Sequence, residues 1–297
     1  MEGSVATLPR PRRRLALGRQ AARLRGLPTE VYVGGGIVAF LLFLAVFGPL
    51  LAPDSTTSGS ITHRLWNIGV AGHPLGTDGQ GRDILSRLIV GARPTLIAGI
   101  VPVLIAGLFG TALGMLAALS RHRWIRSAVM RTLDVVYAFP AILLAIAIGA
   151  ALGPGVGNAI ISLSIVLIAP IARIVEGEVL RLRSDDFMEA ARASGASMPR
   201  IAVRQVLPNI APPLLVYCTS LVGLAIVYAA GLSFLGLGVV APQADWGSML
   251  NELRQTIYER PILSVLPTIP IFAAAVGFNL LGDGLGKLLS VSDRSPS

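Results

Sequence analysis

The residues whose types and spacing most suggest a task form the segment Glu189-Ala-Ala-Arg-Ala-Ser-Gly195, which is followed by Ile201 and Leu207-Pro208-Asn209. This segment is a short polar interruption between apolar stretches that are long enough to cross a bilayer. These residue types suit contact with another protein. The small side chains permit close approach of another surface, and the Glu189 carboxylate can accept hydrogen bonds or form an ion pair. The segment therefore predicts a docking site for another protein, as in a moving part of a transport machine.

The local sequence predicts a helix–glycine–helix elbow, which we define as residues 184–210. Ser184 and the two acids that follow it favour a helix N-terminus, and the alanine-rich segment continues that helix. Gly195 then stands at the position where a positive φ costs least. Ser197 can cap a second helix with Pro199 in its first turn, and Leu207-Pro208 is expected to end this helix before the next span.

The remaining residues give little support to covalent chemistry. Cys218 is the single cysteine, which excludes an intrachain disulfide and a cysteine-based zinc site. His63, His73 and His122 are scattered along the chain, so we expect no metal site built from them. Lys287 is the one lysine, and its surroundings fail the glycine-rich pattern of a phosphate-binding loop. Any ATP hydrolysis must therefore come from other chains.

The composition is that of a membrane protein. The 297 residues are 53% hydrophobic and 14% charged, whereas a soluble domain carries about 25% charged residues. Uncharged runs recur at spanning length, and Ala151–Asn158 breaks the run between Asp134 and Arg173 as a tight hairpin would. The predicted fold class is an all-α membrane protein with six transmembrane helices. The expected spans are residues 31–52, 95–120, 128–150, 157–179, 211–235 and 263–285.

The net charge of +9 is distributed in a way that indicates membrane topology and not nucleic-acid binding. Arginines cluster before the first span, around residues 121–131 and around residues 173–204. With six spans these clusters fall on one side, which the positive-inside rule makes cytoplasmic, with some contact to anionic membrane lipid. The resulting organisation is a cytoplasmic N-terminal tail at 1–30, a transmembrane domain at 31–286 and a cytoplasmic tail at 287–297. Within the transmembrane domain, the external segments lie at about 53–94 and 237–262, and the cytoplasmic loop lies at about 180–210.

The two external segments carry further structural signals. In the first, Thr77 or Asp78 can cap a helix whose apolar residues between Ile84 and Ile89 share one face. We expect this helix to lie against the membrane surface or a partner. In the second, Trp246 stands where an interfacial aromatic residue is expected.

Acidic residues near the membrane raise a separate hypothesis. Asp134 and Asp283 lie close to membrane-embedded helix, where a proton-coupled secondary transporter would place its relay groups. Both fall near predicted cytoplasmic ends, where water and arginines such as Arg131 are reachable, so we interpret them as end-capping or inter-helix groups. Interfacial ion pairs are also expected for Glu176 and Glu178, near Arg173 and Arg181.

The elbow resembles the EAA loop of ABC importer permeases in Glu189-Ala-Ala, Gly195, Ile201 and Leu207-Pro208. A longer segment, Leu75-Gly-Thr-Asp-Gly-Gln-Gly-Arg-Asp-Ile-Leu-Ser-Arg-Leu-Ile-Val-Gly-Ala-Arg93, is similar to the one after the first helix in C-type permeases of the dipeptide/oligopeptide/nickel group. The chain also resembles this group at Leu232–Gly238, Asp245–Leu250 and Phe278–Gly284. The likeness extends over about residues 31–286.

The resemblance implies a type I ABC importer permease fold in the bacterial cytoplasmic (inner) membrane, with both termini cytoplasmic. It implies a heterodimer with a homologous permease, each chain forming half of the translocation pathway. Two ABC ATPase subunits would dock at the cytoplasmic loop and hold ATP and Mg, and an external substrate-binding protein would deliver the solute. The chain itself would be a non-catalytic subunit that binds no cofactor.

The resemblance also implies the coupling residues. They are Glu189, Ala190, Ala191, Arg192, Ser194, Gly195, Ala196, Ser197, Ile201, Leu207 and Pro208. Two departures from the group are Gln205, where a His often precedes the Leu-Pro, and a chain end without the usual Asp-Pro. The expected cargo is di- or oligopeptides, with nickel or another small solute as an open alternative. The rival, a self-contained transporter driven by protons through Asp134 or Asp283, would have no use for the elbow.

Overall fold

The structure of the protein is a computed structural model that describes residues 27–183 and 195–292. The described part is helical, with two isolated bridges (Val70 with His73, Thr77 with Asp83) as its only extended pairings. Its helices are α1 Thr29–Leu51, α2 Ile84–Leu119, α3 Arg123–Tyr137, α4 Ala141–Leu152, α5 Val156–Leu182, α6 Met198–Ile201, α7 Leu207–Phe234, α8 Trp246–Leu253, α9 Pro261–Val265 and α10 Thr268–Ser292.

Five helical stretches in the described residues are long and apolar enough to cross a membrane. The number rises to six when α3 and α4, which meet at an angle of 89°, are counted as one span. We expected one continuous helix at 128–150, and this prediction is wrong in its detail. Pro140 explains the break, because its ring disfavours helical geometry in the residue before it and it has no N–H to donate. The predicted all-α membrane architecture is confirmed.

The second span differs from the expected one because it begins eleven residues earlier, at Ile84 instead of residue 95. At about 1.5 Å per residue the 36 residues of α2 extend about 54 Å, well beyond the roughly 30 Å hydrocarbon core. The helix predicted to lie on the membrane surface is therefore the outer end of this span. The N-cap of α2 is Asp83, whose carboxylate accepts a hydrogen bond from the Ser86 N–H. The predicted caps Thr77 and Asp78 are therefore wrong.

Glycines let the long helices approach closely. A Cβ on Gly34 of α1 would lie 2.5 Å from the Leu281 nitrogen of α10, and one on Gly114 of α2 would lie 2.6 Å from the Ala172 oxygen of α5. Such contacts are typical of membrane helices, where small residues permit tight backbone packing. The main core is built from α1, α2, α5, α7 and α10, around residues such as Leu96, Ile171, Ile210, Ile226 and Ala274.

Trp246 is fully buried, with 0% of its surface exposed, so the prediction of an interfacial aromatic residue is wrong. Its indole Nε1 donates to the carbonyl oxygen of Leu88 at 2.8 Å. Gly91 leaves room for the ring, since a Cβ there would lie 3.2 Å from the indole Cδ1. Trp246 is therefore a packing anchor between α8 and the outer part of α2.

The last span also extends beyond its predicted bounds of 263–285. The short helix α9 precedes it, and α10 continues to Ser292. The residues after Gly286 that we assigned to a tail are thus helical as far as Ser292. Near the start of this extension the Lys287 ammonium forms an ion pair with Glu30 at the beginning of α1.

Candidate functional site

The described half of the elbow begins at Gly195, which has the predicted positive φ, at +77°. A Cβ at this position would meet nothing within 4 Å, so only the backbone conformation requires glycine. Glu189, Ala190, Ala191, Arg192 and Ser194 lie outside the described residues, as do Ser184 and the acids that follow it.

Ser197 occupies the N-cap position of α6, and Pro199 lies in the first turn, as the sequence predicts. The Ser197 side chain makes no capping hydrogen bond, while its carbonyl oxygen accepts from the Ile201 N–H at 3.0 Å. The cap is therefore provided by backbone geometry and by the proline.

The second helix of the elbow does not end at Leu207-Pro208, so this prediction is wrong. Helix α6 passes through a π-helical turn, Ala202–Val206, directly into α7. In that turn the Leu207 N–H reaches back five residues to the Ala202 oxygen, the spacing that defines a π-helix. Pro208 directly follows Leu207, which ends this turn, and because it has no N–H it cannot donate to a carbonyl oxygen of the turn. The elbow and the span form one continuous helical rod, Met198–Phe234.

The π-helical turn sets the register of buried side chains along this rod. Ile201, Val206 and Ile210 are each at most 1% exposed, although the first two are five residues apart and the last two are four apart. In a regular α-helix five residues would turn the second side chain well off the buried face. The wider π-helical turn brings both onto the core, so the part of the elbow from Ile201 onward is packed against the membrane domain.

The other end of the elbow is anchored too. Arg183, at the C-terminus of α5, donates from Nη1 to the carbonyl oxygen of Ala118 at 2.8 Å. Ala118 belongs to the last turn of α2, where carbonyl oxygens lack helical partners and favour a cation. The described chain is thus anchored to the membrane domain before residue 184, at Arg183, and again at Ile201.

Behind the elbow lies a cavity of about 720 Å³ between α5, α7 and α10. Three prolines of α7, Pro208, Pro212 and Pro213, face it, and each lacks the N–H that would bond to the residue four positions before it. The sequence alone identifies no residues of the substrate path. The cavity is lined by Ile174, Arg181, Leu182, Pro208, Asn209, Pro212, Pro213, Val216, Tyr217, Ser220, Gly286 and Leu289.

The acids predicted to lie near the cytoplasmic side form the expected kinds of contact. Asp134 makes an inter-helix ion pair with Arg173, and Glu176 pairs with Arg126 at 2.7 Å. Glu178 pairs with Arg181 at 2.7 Å. The helices α3 and α5 lie side by side and bring these groups together, a juxtaposition that spacing along the chain could not indicate.

In the two segments predicted to be external, four charged groups form a cluster that we call the external network: Asp78, Arg82, Arg87 and Glu252. Arg82 donates to Asp78 at 2.7 Å, and Arg87 bridges Asp78 and Glu252. Three of these side chains are at most 2% exposed, and Glu252 is 27% exposed. Since buried charges persist only when paired, the network fastens the first external segment to α8.

Asp245, the N-cap of α8, is a second buried acid on the external side. Its carboxylate accepts hydrogen bonds from the Thr95 hydroxyl at 2.5 Å and the Ser248 N–H at 3.0 Å. Burial raises the pKa of the Asp245 carboxyl, against the opposing effect of the hydrogen bonds from Thr95 and Ser248. The Asp245 side chain therefore connects α8 to α2 next to Trp246.

Two of the histidines that the sequence analysis treated as scattered lie together. The His63 ring stacks on Trp66 with centroids 3.9 Å apart, and His73 meets both rings at 5.7 Å. His73 Nδ1 lies 3.0 Å from the Asp83 carboxylate. Within the described residues no group of three or more histidines, cysteines or acids is arranged to hold a metal ion.

Comparison with known proteins matches residues 110–291 to the family described as binding-protein-dependent transport system inner membrane component. The dipeptide transport system permease protein DppC of Alkalihalophilus pseudofirmus is 41% identical over 263 residues, covering 89% of this chain and 86% of that protein. The glutathione transport system permease protein GsiD of Pectobacterium atrosepticum is 39% identical over 272 residues, covering 91% and 90%. In the inward-facing MetNI methionine ABC transporter, one chain aligns with a TM-score of 0.59 at 20% identity, covering 69% of this chain and 97% of that chain.

The spanning helices define a membrane-embedded subunit, and the likeness to MetNI confirms the type I importer fold. The chain belongs to the family of binding-protein-dependent transport system inner membrane components, as an ABC importer permease of the peptide group. The predicted family is confirmed.

Proposed function

We propose that the chain forms half of the translocation pathway of an ATP-driven importer for di- or oligopeptides. The names of two relatives support this cargo, since one is a dipeptide permease and the other a permease for glutathione, itself a short peptide. The same machinery with nickel or another small solute remains the alternative, because the residues that contact the cargo are not assigned.

The observation that carries the proposal is the continuity of the rod Met198–Phe234. A force applied to α6 reaches the spanning helix α7 through continuous helix. The rod also contributes the prolines that line the cavity between α5, α7 and α10. Movement of the elbow would therefore reshape this cavity, as alternating access requires.

The proposed partners follow from this arrangement. A homologous permease pairs with the chain as a heterodimer, two ATPase subunits holding ATP and Mg grip the elbows, and an external binding protein delivers the peptide. In this scheme ATP closes the ATPase pair and the elbows move with it. The differential affinity of the two ATPase states then biases the helix bundle between inward-open and outward-open forms. This chain makes and breaks no covalent bond.

A proton-coupled carrier receives less support from the acids proposed for it. Asp134 is about half exposed in this chain and is ion-paired with Arg173. Asp283 lies on an exposed face of α10. Neither acid is a buried carboxyl group of the kind that proton relays use.

The experiment that tests the proposal is gentle purification of the tagged chain from its own host, followed by mass spectrometry of the proteins recovered with it. We expect a second six-helix permease and ATPases with phosphate-binding loops. Recovery of the chain alone, still active in proton-driven uptake, would contradict the proposal. Uptake of a labelled dipeptide in competition with unlabelled dipeptides, longer peptides and Ni²⁺ then distinguishes the two cargo classes.

A further inference from the structure

We propose that a cleft between α3 and α5 binds the phosphate group of an anionic phospholipid in the cytoplasmic leaflet. The cleft has a volume of about 560 Å³. Its charged lining consists of Arg123, Arg126, Arg131, Arg173, Asp134 and Glu176. The inference uses the cytoplasmic orientation that the arginine clusters predict for α3, and it is independent of the solute that the importer carries.

The charges in the cleft do not cancel. Glu176 pairs with Arg126 and Asp134 pairs with Arg173. Within the residues that the structure describes, Arg123 and Arg131 have no carboxylate partner. The four arginines and two acids leave two positive charges in one cleft, which is an attractive environment for an anion.

The paired arginines keep hydrogen-bond donors for a ligand. Arg126 uses Nε and Arg173 uses one terminal nitrogen in their ion pairs, whereas each guanidinium carries five N–H donors. The planar arrangement of these donors matches two oxygens of a phosphate. The cleft therefore offers several guanidinium groups to one phosphate without breaking either ion pair.

The position of α3 favours a lipid phosphate. Helix α3 meets the apolar helix α4 at 89°, so it lies across the direction in which α4 enters the membrane. Trp124 and Val135, three turns apart, are 69% and 64% exposed and share an apolar face next to the charged one. Exposed tryptophan beside arginine is typical of a helix at the membrane interface, and basic pockets between membrane helices on this side bind lipid headgroups.

The test uses the purified importer complex, with its partner chains, in detergent containing phosphatidylglycerol at increasing concentration. Lipid bound to the intact complex is counted by native mass spectrometry. The variant R123Q/R131Q removes both arginines that lack carboxylate partners, and R121Q removes an exposed arginine of the preceding turn that does not line the cleft. A parallel series adds inorganic phosphate as competitor.

We expect the apparent lipid affinity to fall about fivefold for each arginine removed from the cleft, and about twenty-five-fold for the double variant. R121Q should change it by less than about twofold, and inorganic phosphate should displace little lipid. Equal lipid binding by the double variant and R121Q would overturn the proposal. Efficient displacement by inorganic phosphate would identify a site for free anions instead. Loss of the ATPase subunits from the double variant, with lipid binding unchanged, would assign the cleft to a protein contact.

Discussion

Arg183 and Ala118 are separated by 65 residues, yet the Arg183 guanidinium donates to the Ala118 carbonyl oxygen at 2.8 Å. This bond joins the end of α5 to the end of α2 at the point where the chain leaves the membrane domain for the elbow. Within the second half of the elbow, Ile201 is buried in the core at 1% exposure. The described chain thus contacts two separate parts of the bundle, at Arg183 and at Ile201.

Replacing Arg183 by alanine should weaken this connection and leave the fold intact. A hydrogen bond from a charged donor contributes about 1.5–3 kcal/mol, and we expect roughly 1 kcal/mol here because Arg183 is partly exposed. Peptide uptake per ATP hydrolysed should fall several-fold in reconstituted vesicles. Arg183→Lys keeps a cation at the end of α2 and should restore most of the coupling. Unchanged coupling in the alanine variant would remove Arg183 from the coupling path.

Replacing Gly195 by valine should disturb the elbow through the backbone alone. The position has φ of +77° and open space around a Cβ, so a side chain meets no steric conflict. A left-handed backbone costs an ordinary residue about 1–2 kcal/mol, and a β-branched residue adopts it least readily. We expect the protein to remain inserted while ATPase co-purification and uptake decline.

The matched control for Gly195→Val is Gly195→Asn, because asparagine tolerates the left-handed region. The asparagine variant should retain more ATPase and more uptake than the valine variant. Equal behaviour of both variants and the natural protein would show that the positive φ at Gly195 is not needed for docking.

The sequence predicts those features of the fold that depend on neighbouring residues. Hydropathy places the spans, and Gly195 and Pro199 mark the elbow, because positive φ and helix starts are local properties. The break at Ala138–Pro140 and the start of α2 at Ile84 were missed, since a hydropathy pattern indicates that a helix is apolar and not where it bends or ends.

Long-range contacts account for the remaining errors. The sequence offers Asp78 as a candidate helix cap, but its carboxylate forms ion pairs with Arg82 and Arg87. Glu252, which lies 165 residues from Arg87 in the chain, is the fourth member of the network. The N-cap of α2 is Asp83 instead. Trp246 is buried for the same kind of reason, because Gly91 on another helix makes room for it. No local pattern contains either contact.

Removing the Asp78 carboxylate should destabilise the external segment. Asp78→Asn leaves Arg82 and Arg87, both at most 2% exposed, with only the partly exposed Glu252. Breaking a buried ion pair costs about 3 kcal/mol or more, so thermal unfolding in detergent should begin several degrees lower. Glu259→Gln is a suitable control, since Glu259 is exposed on the same side and forms no ion pair with a described residue. Similar midpoints for the two variants would mean that the network contributes little.

The orientation of the chain can be tested with a reporter fused after Ser297. Arginine clusters flank alternate spans, and counting α3 and α4 as one span gives an even number of crossings. A reporter that is active only in the cytoplasm should therefore be active in this fusion. The same reporter inserted after Gly59, in the external segment, should be inactive. Activity at Gly59 and not at Ser297 would reverse the topology.

The buried Asp245 predicts a pH dependence of stability on the external side. Burial raises the pKa of its carboxyl above the ordinary value, so between about pH 3.9 and the raised pKa the folded state binds more protons than the unfolded one. Stability contributed by this group is complete below that window and is lost as the pH rises through the folded pKa, with a slope of at most about 1.4 kcal/mol per pH unit.

Asp245→Asn should remove this dependence and keep the fold. Asparagine is an effective N-cap, and its side-chain oxygen can still accept from the Ser248 N–H that Asp245 binds. The measurement is the thermal midpoint in detergent at intervals from pH 4 to pH 8. The natural protein should lose stability relative to the variant as the pH rises through the window, and the two curves should then run parallel. A natural protein that gains stability over the variant across that range would show that the hydrogen bonds to Thr95 and Ser248 outweigh burial, and that the carboxyl is charged in the folded state throughout.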